Sequence, residues 1–238
     1  MGRPAARPEG IKRKRAVSPN EALLYTVPFD PNLRLSALLE SADLYFLQVE
    51  QNKELIDYFT LLLRWNSRTN LTAVRAPETI LERHFVESIA CAQALPPGIT
   101  TLLDYGSGAG FPGIPIAICR PEIAVTLAES QNKKAAFLHE AIRVTGLSAQ
   151  VYAGRAETLD VIFDCVTLRA VEQMDLAVQA ATRLLGPQGW LAPLTTQADL
   201  KKLQSVAGAE FAWSEPVLLP GSEQRILALA RRTLNLPS

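Results

Sequence analysis

The sequence has only two histidines and three cysteines, and its charges cancel, 24 Lys and Arg against 24 Asp and Glu. Cys91, Cys119 and Cys165 are far apart and form no C-x-x-C pair, which argues against a disulfide framework or a zinc site. No metal is expected, and the thiols read as reduced, buried small hydrophobes. No apolar run reaches the roughly 18 residues of a membrane helix, and the N-terminal stretch has no apolar signal-peptide core. Neither membrane crossing nor secretion is expected, and the cytoplasm is the default compartment. With no net charge, the molecule as a whole does not attract nucleic acid, so any such binding must come from local patches.

At 238 residues the chain suits one domain of ordinary size plus an appendage. Residues 1–32 read as a basic, disordered extension: Arg3, Arg7, Lys12, Arg13, Lys14 and Arg15 face the single acid Glu9 before any apolar period begins. Such a tail can hold an RNA backbone through counterion release. Residues 33–97 have helical apolar spacing: Leu35, Leu38 and Leu39, then Leu55, Ile56, Phe59, Leu62 and Leu63, then Ile80, Leu81, Phe85 and Ile89. This predicts a helical cap of three helices, broken near Asn52 and at Pro77. Pro96, Pro97 and Gly98 mark a change of period.

From residue 98 to 238, apolar runs alternate with helical segments. "TTLLDY", "AVTLAES", "AQVYAG", "FDCVTL" and "GWLAPL" read as strands, and helices fall near 112–119, 131–145, 173–185 and 197–206. The alternation predicts an α/β fold, a doubly wound, mostly parallel sheet. "FAWSEPVLL" and "QRILALAR" around "PGSE" predict a C-terminal antiparallel hairpin at its edge.

The first strand runs into "LLDYGSGAGFPGIPIAI", residues 102–118. Gly108, Gly110 and Gly113 match G-x-G-x-x-G for dinucleotides, while Asp104, Gly106, Gly108 and Gly110 match D-x-G-x-G-x-G for S-adenosylmethionine. Pro112 suits a helix's first turn, which makes 106–111 the connecting turn. Asp104 favours the second reading: an acid there is poorly placed for a pyrophosphate but can accept from the ammonium of an amino acid, whose carboxylate meets free N–H groups. Glu129 ends the next strand, where an acid can accept from both ribose hydroxyls.

With "WNSRTNLTAVR" (65–75), "RHFVESI" (83–89), "ESQNKKAAFL" (129–138), "GRAE" (154–157) and "FDCVTLRAV" (163–171), the chain resembles the bacterial small-subunit ribosomal RNA guanine-N7 methyltransferases, once called glucose-inhibited division protein B. The resemblance runs from about Leu61 to Leu194 and weakly to Arg232. It implies a class I S-adenosylmethionine-dependent methyltransferase, Rossmann-like, with 16S ribosomal RNA or the small ribosomal subunit as partner and a monomeric state. It carries cofactor contacts onto Gly106, Phe111, Glu129 (ribose), Ala156 and Glu157 (adenine side) and Arg169 (methionine end). Asp104 and Gly108 join them from the motif.

The chemistry can be narrowed from the residues. Cytosine-C5 methylation needs a thiolate, and Cys165 lies inside an apolar strand run without an adjacent proline. Exocyclic adenine methylation usually shows an Asn/Asp-Pro-Pro-aromatic turn, where this chain has "TLRAV". Guanine N7 carries a lone pair in the neutral base, so positioning suffices; no catalytic residue is assigned beyond Arg169 as a positioning candidate. Arg68, Arg83, His84, Lys133 and Lys134 are the RNA-binding candidates, with Arg64 and Arg75 nearby, and Trp65 is expected in the core. The chain departs from the family at Pro193, Leu194, Thr195 and Thr196, where a lysine-glycine pair is usual, and at Gln224 and Arg225, where the hairpin is usually more basic. The rival readings are a methyltransferase acting on a small molecule or protein, and a non-catalytic ribosome-assembly factor with the same fold.

Overall fold

The computed structural model describes residues 29–44 and 47–233. Most of the expected basic extension, residues 1–28, lies outside these. From Pro31 on, the chain forms one unit.

α1 (Pro31–Ser41) and α2 (Val49–Asn66) come first. A helical rod follows, made of α3 (Pro77–Ile80), a π-helical segment (Leu81–Val86) and α4 (Glu87–Ala94). The break expected near Asn52 is not there: Asn52 sits inside α2, its N–H bonded to the Gln48 carbonyl and its side chain to Asn32. The interruption lies before Val49. Pro77 does start the rod.

The α/β part comprises β1 (Thr101–Tyr105), α5 (Gly113–Cys119), β2 (Ala124–Ala128), α6 (Asn132–Thr145), β3 (Gln150–Tyr152), β4 (Phe163–Arg169), α7 (Met174–Arg183), β5 (Leu185–Thr196) and α8 (Gln197–Ala207). β6 (Phe211–Trp213), β7 (Val217–Leu218), β8 (Arg225–Leu227) and β9 (Ala230–Arg232) close the sheet. The parallel order is β3-β2-β1-β4-β5, and β8 and β9 pair antiparallel with β5. The expected hairpin is present, split into β7 with β8 and β6 with β9.

Strand alternation divides the core in two. Leu102 and Cys165 face α1, α2, the rod, α5 and α6; Leu103 and Val166, one residue on, face α7 and α8. Both sheet faces are covered, which is why these strands read as continuous apolar runs. Tyr58, Phe85 and Phe111 meet at centroid distances of 5.2–5.3 Å, and the Tyr58 hydroxyl donates to the Ala109 carbonyl. The helical region therefore grips the glycine turn. Strand order reverses between β1 and β4, where open α/β sheets leave a crevice at their carboxyl edge.

Candidate active site

Past the end of β1, Gly106 has φ +70°, and a Cβ there would lie 3.2 Å from Val171 Cγ2 in the turn after β4. A side chain would be strained and crowded at once. At Gly113 the demand is for space: a Cβ would sit 2.3 Å from Leu127 Cδ2 and 2.7 Å from Asp104 Oδ2. Pro112 holds the position just before α5 and not its first turn.

Asp104 is corrected by the structure. It shares the Leu102 side of β1, is 1% exposed, and accepts from the Gly113 N–H at 3.2 Å and Thr167 Oγ1 at 3.0 Å. Burial raises its pKa to about 6, against the hydrogen bonds from Ser107, Thr167 and Gly113. The carboxylate pins the glycine turn to the sheet from beneath and is not held open for an ammonium group.

Glu129 reaches the turn from β2. Its Oε2 accepts from the Gly108 N–H at 2.9 Å and its Oε1 from the Gln131 N–H at 2.7 Å, which fixes the carboxylate at the crevice. Gly106, Glu129, Ala156 and Glu157 line one cavity of about 500 Å³ along with Tyr105, Val171 and Gln173. Glu157 accepts from the Tyr105 hydroxyl at 2.9 Å and Arg155 Nε at 2.7 Å. Burial opposes its charge, but these bonds and its own N–H outweigh that and lower its pKa. Gly108 serves through its N–H to Glu129, and Phe111 is packed into the aromatic cluster, 7% exposed.

Arg169 lies in a second cavity of about 500 Å³, which adjoins the first through Gln173. Arg83, His84, Glu87, Lys202 and Arg225 line it as well, and Leu194, Leu203 and Leu219, all buried, supply apolar wall. Burial and the charges of Arg169 and Arg83 depress His84 to a pKa of about 3. Its neutral ring fits Nδ1 accepting from Arg169 Nη2 at 3.1 Å and Nε2–H donating to Thr72 Oγ1 at 2.8 Å, a tautomer assigned from those partners. His84 thus braces the wall. Thr195 and Thr196 reach the same cavity, and Lys202, paired with Asp175 at 2.6 Å, supplies a cation there.

The remaining RNA candidates are dispersed. Arg68 lines a separate hollow with Arg64, Trp65, Thr69 and Glu140, while Lys133 and Lys134 open α6 and line neither cavity. Trp65 packs edge-on to Phe137 at 5.6 Å and donates to Glu140. Asn66 ties the following loop through the Thr72 N–H and the Val74 carbonyl, and Arg75 bonds to Asn66 and Asn70. The cysteines are free and buried; burial pushes Cys91 to about 12 and Cys165 well above its ordinary value, which disfavours the thiolate form of both.

Glu87 and Arg225 were missed as site residues. An acid within the apolar helical run "FVESIA" is itself a signal, since a buried carboxylate needs a partner.

The sheet order, the glycine turn and the acid just past β2 define a class I S-adenosylmethionine-dependent methyltransferase fold. Solved structures agree. A predicted O-methyltransferase from Agrobacterium tumefaciens matches with TM-score 0.53 and 17% identity, over 63% of this chain and 81% of that one. A SAM-dependent methyltransferase from Aquifex aeolicus matches with TM-score 0.52 and 15% identity, over 66% and 93%. Residues 51–215 match the GidB family, rRNA small subunit methyltransferase G, and the chain belongs to that family. Two relatives called Ribosomal RNA small subunit methyltransferase G illustrate the match. That of Xanthomonas campestris pv. campestris (strain B100) is 37% identical over 79% of this chain and 90% of its own length. That of Roseiflexus sp. (strain RS-1) is 36% identical over 82% and 90%. The resemblance read from the sequence motifs is therefore borne out at the level of family and fold.

Proposed function

We propose that this chain transfers a methyl group from S-adenosylmethionine to N7 of a guanine in 16S ribosomal RNA, acting on the RNA or on the small ribosomal subunit as a monomer. The observation that carries this reading is the pair of adjoining cavities. One holds the glycine turn and Glu129; the other has an apolar wall and a rim of paired charges with exposed Arg83 at its edge, and Gln173 lines both.

The first cavity fits the cofactor. Its volume and the bare Gly106 wall leave room for a nucleoside, and Glu129 offers a fixed carboxylate to ribose hydroxyls. Gly106, Glu129, Ala156 and Glu157 are assigned to it. S-adenosylmethionine supplies an electrophilic methyl group on a sulfonium centre.

The second cavity receives the base, turned out of its stack so that N7 faces the first cavity. Guanine N7 needs no proton removed before it attacks, and among the described residues neither histidine is placed as a general base. Both His84 nitrogens are engaged, and His139 is exposed on α6. The side chains therefore work by placement and by excluding water. Arg83 at the rim, with Arg68, Lys133 and Lys134 further out, is assigned to RNA phosphates.

A strain lacking the gene tests the reading. Mass spectrometry of its 16S RNA is expected to show one 7-methylguanine missing and restored by the intact gene. An unchanged modification pattern would overturn the assignment.

A further inference from the structure

The second cavity does not end at its rim. Arg83, Leu219 and Arg225 also line a groove of about 700 Å³, bounded by α1, the rod and the turn from β7 to β8. Its walls are largely apolar: Leu38 and Ala42 come from α1, Val86 from the end of the π-helical segment, and Leu218, Leu219 and Pro220 from the hairpin. Leu218 is 52% exposed there among the described residues. Of the acids in the groove, Glu82 is held by Arg34 at 2.8 Å, and Asp43 offers a carboxylate that suits an amino group of a base.

Positive charge gathers where the groove and the second cavity meet. Arg83 is exposed and forms no ion pair among the described residues, while Arg169 and Arg225 share the single carboxylate of Glu87, 1% exposed, at 2.8 and 2.7 Å. Three guanidiniums against one carboxylate leave two positive charges. If the carboxylate of the cofactor takes up one of them through Arg169, one is still left at the junction. Arg225 spends Nε on Glu87, and among the described residues no hydrogen bond holds its Nη groups. Burial lowers the Arg169 pKa and Glu87 raises it; Arg83 and Arg225 then lower it again, a repulsion that a nearby anion relieves. In a nucleic acid strand a phosphate stands between each base and the next, so an apolar slot on either side of a cationic junction fits two successive bases and the anion that links them.

We propose that the groove is an RNA subsite: it takes the base of an unpaired nucleotide next to the methylated guanine, and the phosphate linking the two nucleotides lies at Arg83 and Arg225. This rests on the second cavity being the acceptor site, with which the groove is continuous through three shared residues. A base turned out of its stack takes a stacking partner from its neighbour, and the groove returns one through Leu38, Ala42 and Leu218.

Crosslinking tests the placement. Ser41, exposed at the end of α1 and lining the groove, is replaced by cysteine and coupled to benzophenone maleimide; the three native cysteines are buried, so the label goes to this position. The labelled protein is irradiated with small subunits or extracted 16S RNA, whichever accepts the methyl group. It is expected to crosslink within about two nucleotides of the methylated guanine, as mapped by primer extension. A crosslink to RNA further away, to residues 1–28, to a second copy of the chain, or no crosslink at all, would overturn the proposal.

Kinetics test the energetics. Leu218→Glu places a carboxylate on the groove wall at an exposed position that lines neither of the other two cavities. It is expected to raise KM for the RNA substrate about five- to a hundredfold, the loss of one stacked base, while kcat and S-adenosylmethionine affinity stay within about twofold. A merely structural role would move cofactor affinity and stability as well. Thr195→Trp, which fills the second cavity and leaves the groove open, is the reference. Lost transfer in Thr195→Trp together with a wild-type KM in Leu218→Glu would remove the groove subsite and keep the acceptor site. Unchanged transfer in Thr195→Trp would instead strike the reading of the second cavity, and this assignment would fall with it.

Discussion

Replacing Gly106 with alanine adds one methyl group at the wall of the first cavity. The backbone there has φ +70°, so the side chain incurs left-handed strain of about 1–2 kcal/mol. The new Cβ would also stand 3.2 Å from Val171 Cγ2 and 3.5 Å from Cγ1, and the turn after β4 must yield by a few tenths of an ångström. For a domain of this size, the backbone strain alone lowers Tm by roughly 2–8 °C. Crowding at the cavity wall, at about 1–3 kcal/mol for an overpacked methyl, should weaken S-adenosylmethionine binding by about five- to a hundredfold. Gly98→Ala is the control: φ is +83°, nothing lies within 4 Å of the added Cβ, and the residue lines neither cavity. Thermal denaturation should show at least as large a loss of stability in Gly106→Ala as in Gly98→Ala, and calorimetry should show weakened cofactor binding only in Gly106→Ala. Equal affinities in the two variants would refute the placement of the cofactor beside Gly106.

Tyr58→Phe removes the hydroxyl that holds the Ala109 carbonyl, and urea denaturation should show about 1–3 kcal/mol lost; unchanged stability would deny the turn this anchor. Asp104 has a folded pKa raised to about 6 from 3.8, so the folded state binds the proton more tightly and stability falls as pH rises from about 4 through 6. The change is on the order of 2–3 kcal/mol. Asp104→Asn should flatten that limb of the stability–pH curve, and an identical curve would contradict the burial argument. Neutralising Arg68, Lys133 or Lys134 with glutamine should each lower the slope of log affinity against log salt for RNA by about 0.7–0.9 if the residue meets a phosphate; an unchanged slope removes that residue from the RNA surface.

The central strands were legible because both sheet faces are covered, which turns β1, β2 and β4 into apolar runs between glycines and prolines. The turn and Glu129 could be placed because the register of "LLDYGSG" and "TLAES" is local. The use of Asp104 was misjudged from the same stretch. Strand alternation puts it on the Leu102 side, under α5, a consequence available from the period of two. Asn52 suggested a helix break by residue type, yet the Gln48–Gln51 cap starts α2 ahead of it and the Asn52 N–H joins the helix through the Gln48 carbonyl. The cluster of Glu87, Arg169 and Arg225 joins residues far apart in sequence, so no local pattern announces the pairing. Only the isolated acid in an apolar helix hinted at it. The scatter of Arg68, Lys133 and Lys134 likewise depends on tertiary packing that charge runs do not encode.

The central claim is that the two adjoining cavities bring a sulfonium methyl group to N7 of a guanine. Small ribosomal subunits or extracted 16S RNA, incubated with the purified chain and methyl-deuterated S-adenosylmethionine, can be digested to nucleosides and read by mass spectrometry. The account predicts the deuterated methyl on N7 of guanine at one position. Label on a carbon, an exocyclic amine or a ribose oxygen, or no label in RNA at all, would contradict it.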